Sequence, residues 1–459
     1  MNRAFRSLIA LLVLTPVSLR ADDWPMFGGH PDRNRVAHEK GLPTTFGPEN
    51  ARWVADIGDQ TYGHPTVSGG RVFIGTNNSK PRDPSVTGDR GVLMCFSAED
   101  GKFLWQAVHE KLPGKTAEDW EYTGLPSTAC VEGDLVYYVS NRAELVCRAA
   151  GDGKLVWLLD MKKDLHVQPF QASASSPLVV GDLVFATTGN SLDEKTNKVK
   201  NPDAPSFIAV DRKTGKVAWK DNSPGARVVW GQWGSPAYSV VDGRPQIVFP
   251  GGDGWLYSFD PSSGKLLWKF NCKSYEKPPA EGESPSKIQL PATPVFAGPR
   301  VLIPVGIDVD SNDKGCLWAI DARKSGDVTS SAELWRLPGE SFGLSFSSVT
   351  VQDGLVYAVE QAGYLDCIEL ESGKIVWKHD FLASLHGPVL LADGKLYFKT
   401  GDGEILVLQA GREKKILAKN DKFDHLDSGS LVVANGVLYF TGQSKMSGVG
   451  KLYAVAAGK

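Results

Sequence analysis

Cysteine is scarce in this chain, six residues in 459, and no two of them form a Cys-Cys pair, a CxxC or a CxxCH. Their spacing therefore excludes a vicinal disulfide, a zinc ribbon and a c-type haem attachment. Charge of one sign is also lacking: 50 Lys and Arg face 53 Asp and Glu, for a net charge of −3. A balance this close to neutral gives no electrostatic case for binding DNA or RNA. Long apolar runs are missing as well. The longest spans 8–17, too short to cross a bilayer, so no membrane span is expected. No G-x-S-x-G, HExxH or P-loop occurs, nor a dinucleotide fingerprint in strand-to-helix context, which removes the commonest hydrolase and nucleotide chemistries.

The apolar run 8–17 follows Arg3 and Arg6 and is followed by a short polar stretch. That order describes a signal peptide over residues 1–21 and a periplasmic or secreted protein. Its removal takes three arginines and no acid, moving the net charge from −3 to −6. No cysteine stands at the cleavage site, so no lipid anchor is expected.

What the chain has in quantity is one repeated unit. The clearest copies are AVDRKTGKVAW (209–219), SFDPSSGKLLW (258–268), CIELESGKIVW (367–377), CFSAEDGKFLW (95–105) and CRAAGDGKLVW (147–157). Glycine lies six residues, and tryptophan ten, after the leading small residue in all five. Trp53 and Trp335 close two further copies, and Trp335 arrives six residues late relative to Ala319. A fixed offset copied along a chain means one supersecondary unit repeated. The stretches before the copies, such as DLVYYVS (134–140) and GLVYAVE (354–360), alternate apolar and polar and are rich in β-branched and aromatic residues. Half-buried antiparallel strands follow. Each unit then reads as strands A, B, C and D, with glycine at a left-handed turn position between C and D and tryptophan on D. Burying an indole of roughly 150–250 Å² at about 25 cal/mol/Å² is worth on the order of 4–6 kcal/mol, so the tryptophans are read as the joints between units.

These units make an all-β, eight-bladed β-propeller. Its last blade takes strands A, B and C from 431–457 and strand D, with Trp53, from 51–57, which closes the ring and leaves no open sheet edge. Residues 22–50 lead in, and 51–459 form a single domain. Blade 7 is degenerate, with Ile416 or Leu417 where tryptophan is expected. Cys95, Cys147 and Cys367 fill the slot held elsewhere by Ala209, Ser258, Ala319 and Ala454, so they are read as free, buried core residues.

The repeat A-x-D-x-x-T-G-K-x-x-W resembles the tryptophan-docking motif of pyrroloquinoline quinone (PQQ) repeat propellers. That group includes the quinoprotein alcohol dehydrogenases and an outer-membrane assembly factor. WPMFGGHPDRNRV (24–36) resembles the opening segment of exported members. The dehydrogenases imply a PQQ and calcium site. Thr187-Thr188-Gly189-Asn190 resembles the strand end that supplies an Asn ligand, and Ala143-Glu144 matches a Glu ligand in letters but not in register. Where the dehydrogenases place a Trp-Asp whose Asp acts as base, this chain reads Trp230-Gly231. The base is missing.

Other candidates come from the residues alone. Trp230 and Trp233 are off the ladder and precede strand A of blade 4, where they either stack on a ligand or plug the channel. Asp308, Asp310 and Asn312 begin like a calcium loop but fail the EF-hand pattern. His64, His386 and His425 precede strand A in blades 1, 7 and 8. Insertions fall in the B to C links, and 191–206 is polar and expected to be mobile. These features imply a monomeric, non-catalytic binding or scaffold module, taking a protein partner or small molecule on that loop face. A PQQ- and calcium-dependent alcohol dehydrogenase and an envelope assembly factor are the alternatives.

Overall fold

Alternation at period two resolves into sheets built on four antiparallel strands, A to D, in chain order in blades 1 to 7 and completed by the N-terminal strand in blade 8, and the eight blades form a propeller. The structure is a computed structural model that describes residues 23–113, 118–193, 195–276, 287–306, 315–383, 385, 387–423, 429–443 and 448–456. The expected signal peptide, Asp308, Asp310 and Asn312, His386 and His425 lie outside the described residues.

The innermost A strands are Thr66–Ser68, Cys130–Glu132, Leu178–Val180, Ala237–Val241, Val295–Ala297, Thr350–Gln352, Leu390–Ala392 and Val432–Ala434, in blades 1 to 8. Blade 8 closes as the sequence implies. Ala51–Ile57 pairs antiparallel with Gly450–Ala456, and Trp53 stands opposite Ala454. The cores of the blades are apolar, and all six cysteines are free and buried. Burial pushes the Cys95, Cys147 and Cys367 thiols up to about 12, which leaves them unreactive core fillers.

Each docking indole crosses to the next blade. Trp53, Trp105, Trp157, Trp219, Trp335 and Trp377 donate their ring N–H to carbonyls of Ala98, Ala150, Arg212, Pro261, Leu370 and Gly411. The indoles of Trp53, Trp105 and Trp157 lie flat on Gly101, Gly153 and Gly215 of the following blade, where a Cβ would come within 2.6–2.7 Å of the ring. These glycines also have φ near +70°, so the motif needs glycine twice over.

Trp268 departs from the pattern because blade 5 carries its insertion in this turn. Part of the insertion, Gly326–Asp327, pairs parallel with strand D of blade 4. A relay replaces the direct bond: Trp268 donates to Gln246 Oε1 at 2.7 Å, and Gln246 Nε2 donates to the Ala322 carbonyl at 2.9 Å. Gln246→Leu keeps the volume and strands a buried N–H. It is expected to cost about 2–3 kcal/mol by urea denaturation, and a loss below about 0.5 kcal/mol would show that the relay carries nothing.

Blade 7 corrects one expectation. Val407 pairs with Ala418, so Ala418, and neither Ile416 nor Leu417, holds the tryptophan place. The turn is one residue longer than in the regular copies. The lead-in segment fills the gap: Leu42 and Phe46 join the cluster between blades 7 and 8, and Tyr397 donates to the Pro43 carbonyl at 3.0 Å. The 191–206 stretch, expected to be mobile, contains a hairpin of Leu192–Asp193 with Lys198–Val199.

The rest of the lead-in segment runs through the central channel and bonds to every blade in turn. Trp24 exchanges two backbone hydrogen bonds with Val67 of blade 1, and Val131 of blade 2 donates to Pro25. Arg33 donates to Ser176 and Pro177 of blade 3, while Tyr238 of blade 4 and Phe296 of blade 5 donate to Pro31 and Asp32. The Asn34 side chain exchanges two bonds with Val351 of blade 6. Leu391 of blade 7 donates to Arg35, whose guanidinium reaches Ser430 and Leu431 of blade 8. The segment plugs the channel.

Candidate functional site

Above the plug, on the face where the A strands begin, the channel opens into a funnel of about 480 Å³. Because the strands of a blade alternate in direction, the B to C links and the D to A connections open on this same face. Phe27 of the plug forms part of the lining, with Tyr62, Trp120, Trp233 and Phe346 around it. Among the described residues no Asp, Glu, Lys or Arg lines the funnel.

A belt of polar side chains lines the wall two residues before the A strands of blades 1 to 6. His64 N–H donates to Thr128 Oγ1 at 2.9 Å, Thr128 N–H to Ser176 Oγ at 3.1 Å, Ser176 N–H to Ser235 Oγ at 2.8 Å and Ser235 N–H to Thr293 Oγ1 at 3.1 Å. Each hydroxyl thus ties its blade to the preceding one. Ser348 continues the belt in blade 6, its Oγ buried and without a hydrogen-bond partner among the described residues. The signal for this belt was in the sequence as His64-Pro65, Ser176-Pro177, Ser235-Pro236 and Thr293-Pro294, a dipeptide recurring ahead of strand A.

His64 is the one titratable base in the lining. Its Nδ1 lies 3.2 Å from Nη1 of Arg35. Burial, and then the charges of Arg35 and Lys399, hold the imidazole well below its ordinary value, so it is neutral at pH 7. Arg35 is itself fully buried, and desolvation lowers it to about 9.

Of the residues singled out from the sequence, Trp233 lines the funnel. Its ring N–H donates to the Phe170 carbonyl at 3.3 Å, and Gly231 lies so close against the indole that any Cβ there would overlap it. Trp230 stands behind, edge-on to Phe170 at 4.9 Å, with Lys287 Nζ 5.6 Å from its ring centre. Neither tryptophan plugs the channel, since the lead-in segment does so. Asn190 is brought beside this pair, because Ser191 bonds to the Trp230 carbonyl and Gln232 to the Asn190 carbonyl. Its side chain is committed to the fold: Oδ1 accepts from Gln168 N–H and Nδ2 donates to the Asn201 carbonyl, both at 3.0 Å.

Glu144, which matches a Glu ligand in letters, sits apart, buried between blades 1 and 2. It accepts from Ser140 at 2.8 Å and Arg142 at 3.1 Å and lies 3.2 Å from His109 Nδ1. Burial raises its carboxyl, but the bonds from His109 and Ser140 and the Arg142 charge outweigh that and hold it below the usual range. Among the described residues no three His, Cys, Asp or Glu side chains gather as a metal would need.

One buried acid lies outside the funnel, in blade 6. Lys378 Nζ is 2.5 Å from Glu360 and 3.4 Å from the fully buried Asp366. Burial, and then the neighbouring Glu360, push the Asp366 carboxyl up to about 8. An unfolded aspartate titrates near 3.9, about four units lower, so the folded chain holds a proton that the unfolded chain has released. This group's contribution to stability is therefore present at low pH and lost as pH rises from about 4 to about 8. Asp366→Asn, neutral at every pH, is expected to melt higher than the parent at about pH 8, with the difference shrinking as the pH falls and vanishing below about pH 4. A pH-independent difference would refute the assignment.

The repeat family described as outer membrane protein assembly factor BamB matches residues 49–191, 89–324 and 313–457, windows that overlap and together span the ring. The chain belongs to that family. Relatives of BamB type and of dehydrogenase type both appear. The Yersinia pestis outer membrane protein assembly factor BamB is 22% identical over 67% of this chain and 69% of its own length. The polyvinylalcohol dehydrogenase of a Sphingopyxis species is 25% identical over 55% of this chain, which spans 41% of that enzyme. The quinohemoprotein alcohol dehydrogenase of Comamonas testosteroni superposes with a TM-score of 0.64 at 14% identity, covering 95% of this chain and 81% of that one, a likeness of fold. BamB-type and dehydrogenase relatives thus both match the repeat ring. No helix among the described residues is long and apolar enough to cross a membrane.

Proposed function

We propose that this chain is an exported, non-catalytic binding module that takes a ligand in the funnel and offers the surrounding B to C loops to a partner. The observation that carries the reading is the funnel's chemistry: a blind, aromatic and hydroxyl-lined cavity without a charged side chain among its described lining. A volume of about 480 Å³ lies in the range of small-ligand sites. Export to the periplasm or beyond belongs to the same proposal and rests on the N-terminal pattern of residues 1–21.

The quinone cofactor of the dehydrogenase relatives fits this donor set poorly. Such a group needs cations for its carboxylates and a hard metal held by oxygen ligands. The described lining supplies no Lys or Arg, Glu144 is neutralised at a seam away from the funnel, and both side-chain atoms of Asn190 are bonded internally. No step is derived through it.

The dehydrogenase reading keeps one point in its favour, the Trp233 indole on the funnel wall, which could stack on a planar ring. The two separate cleanly. Purified protein incubated with PQQ and Ca²⁺ and then desalted is expected to retain no cofactor absorbance and to reduce no dye with an alcohol. Retained cofactor with alcohol-dependent turnover would overturn the proposal.

A further inference from the structure

We propose that the funnel binds a neutral saccharide unit, an inference that deepens the reading of the funnel as a ligand site and rests on it. The wall decides the ligand by what it can still offer. Thr128, Ser176, Ser235 and Thr293 each accept a backbone N–H from the preceding blade, and none gives its own hydroxyl hydrogen to a described residue. Four O–H donors therefore remain, held in place by the bonds their oxygens accept. His64 adds a fifth. Arginine can only donate, so His64 Nδ1 must accept from Arg35 and the ring proton sits on Nε2.

A wall of donors leaves a hydrocarbon ligand at a disadvantage of about 1–3 kcal/mol for each donor stripped of water without a partner. A peptide strand brings one N–H for every carbonyl, and those N–H groups would have only the one lone pair left on each hydroxyl to meet. A sugar hydroxyl accepts from the wall and turns its own proton to a neighbour or to water. Saccharides match the donors.

Aromatic surface supplies the other half of the match. Trp233 stands in the wall, and Tyr62 and Trp120 stand half-exposed at the rim. The backbone of Trp120 is tied down although its ring faces solvent: its N–H donates to the Gln171 carbonyl at 3.0 Å and its carbonyl accepts from Lys111. The adjoining Asp119 is buried, bonded to Lys111, to Leu112 N–H at 3.0 Å and to Asn141 at 2.9 Å. The backbone that carries the platform is set before a ligand arrives, which lowers the ordering cost at binding. Aromatic faces carry negative charge density and attract the weakly positive C–H face of a sugar ring. The buried Arg35 behind His64 favours an anion, which makes an acidic sugar the competitor to separate.

The full-length protein is titrated by tryptophan fluorescence and calorimetry with neutral oligosaccharides of glucose, mannose, galactose and xylose, with uronic acid oligomers, and with PQQ plus Ca²⁺. Binding of at least one neutral oligosaccharide is expected, weakened tenfold or more by Trp120→Ala, an exposed position whose change spares the core. The fluorescence change, but not the folded circular dichroism, is expected to be lost in Trp233→Ala. Binding of uronates or quinone without neutral sugars would overturn the neutral-saccharide assignment and leave the funnel as a ligand site. Binding that neither variant alters would place the sugar elsewhere and overturn the inference, and no binding in any arm would overturn both it and the funnel reading.

Discussion

Trp53→Ala is expected to lower the free energy of unfolding by about 3–5 kcal/mol, the usual cost of emptying a buried indole site. Its effect should exceed that of Trp219→Ala, because Trp219 is half-buried and lies within a continuous stretch of chain. Trp53 sits on the strand that joins the two ends of the ring. It stands opposite Ala454, lies on Gly101 of blade 1, donates to Ala98 at 3.1 Å and meets Tyr439 at 5.9 Å between ring centres. Closing a loop of roughly 400 residues costs on the order of 5 kcal/mol in chain entropy. The contacts of Ala51–Ile57 must exceed that cost, and the indole is its largest buried side chain. Urea midpoints of the two variants and the parent check the expectation. Equal losses at the two positions would show that ring closure places no special demand on Trp53.

Trp24→Ala is expected to cost a similar amount, about 3–5 kcal/mol, and to do something Trp53→Ala does not. Trp24 is the first anchor of the plug, buried against strand A of blade 1, with Arg35 5.5 Å over its ring and Gly29 pressed against its indole. Loss of the indole loosens the segment where it enters the channel, so proteases should cut within 23–50 before they cut any blade. Mass spectrometry of timed digests reads the order of cleavage. A first cut inside a blade, with 23–50 intact, would refute the anchoring role.

The ladder of tryptophans made the ring legible because its information lies in side chains at fixed offsets, and even the shared eighth blade could be read from Ala454 and Trp53. Blade 7 was misplaced by two residues or one, since a single extra residue in a turn moves the tryptophan place from Leu417 to Ala418 and leaves no other mark. The path of the plug was not legible, and the reason is physical. Four of its bonds are made by main-chain carbonyls of Pro25, Pro31, Asp32 and Arg35, which any residue type could supply. Glu144 shows the limit for sites. Whether it is a ligand, a solvated charge or a paired one depends on His109, on another blade and thirty-five positions earlier. Asn190 likewise keeps the letters of a ligand while Gln168 and Asn201 use its atoms.

Repeat arrays are nearly one-dimensional, each unit resting on its neighbours, and for that reason they can lose units from an end one at a time. Twelve residues, Trp24 to Arg35, alter that arithmetic here, because they hold hydrogen bonds to all eight blades at once. A ring missing any one blade forfeits part of the same segment, so damage at one point is felt at seven others. The chain should therefore melt in a single cooperative transition, and this segment, synthesised before any blade, can be secured only after the last blade is made.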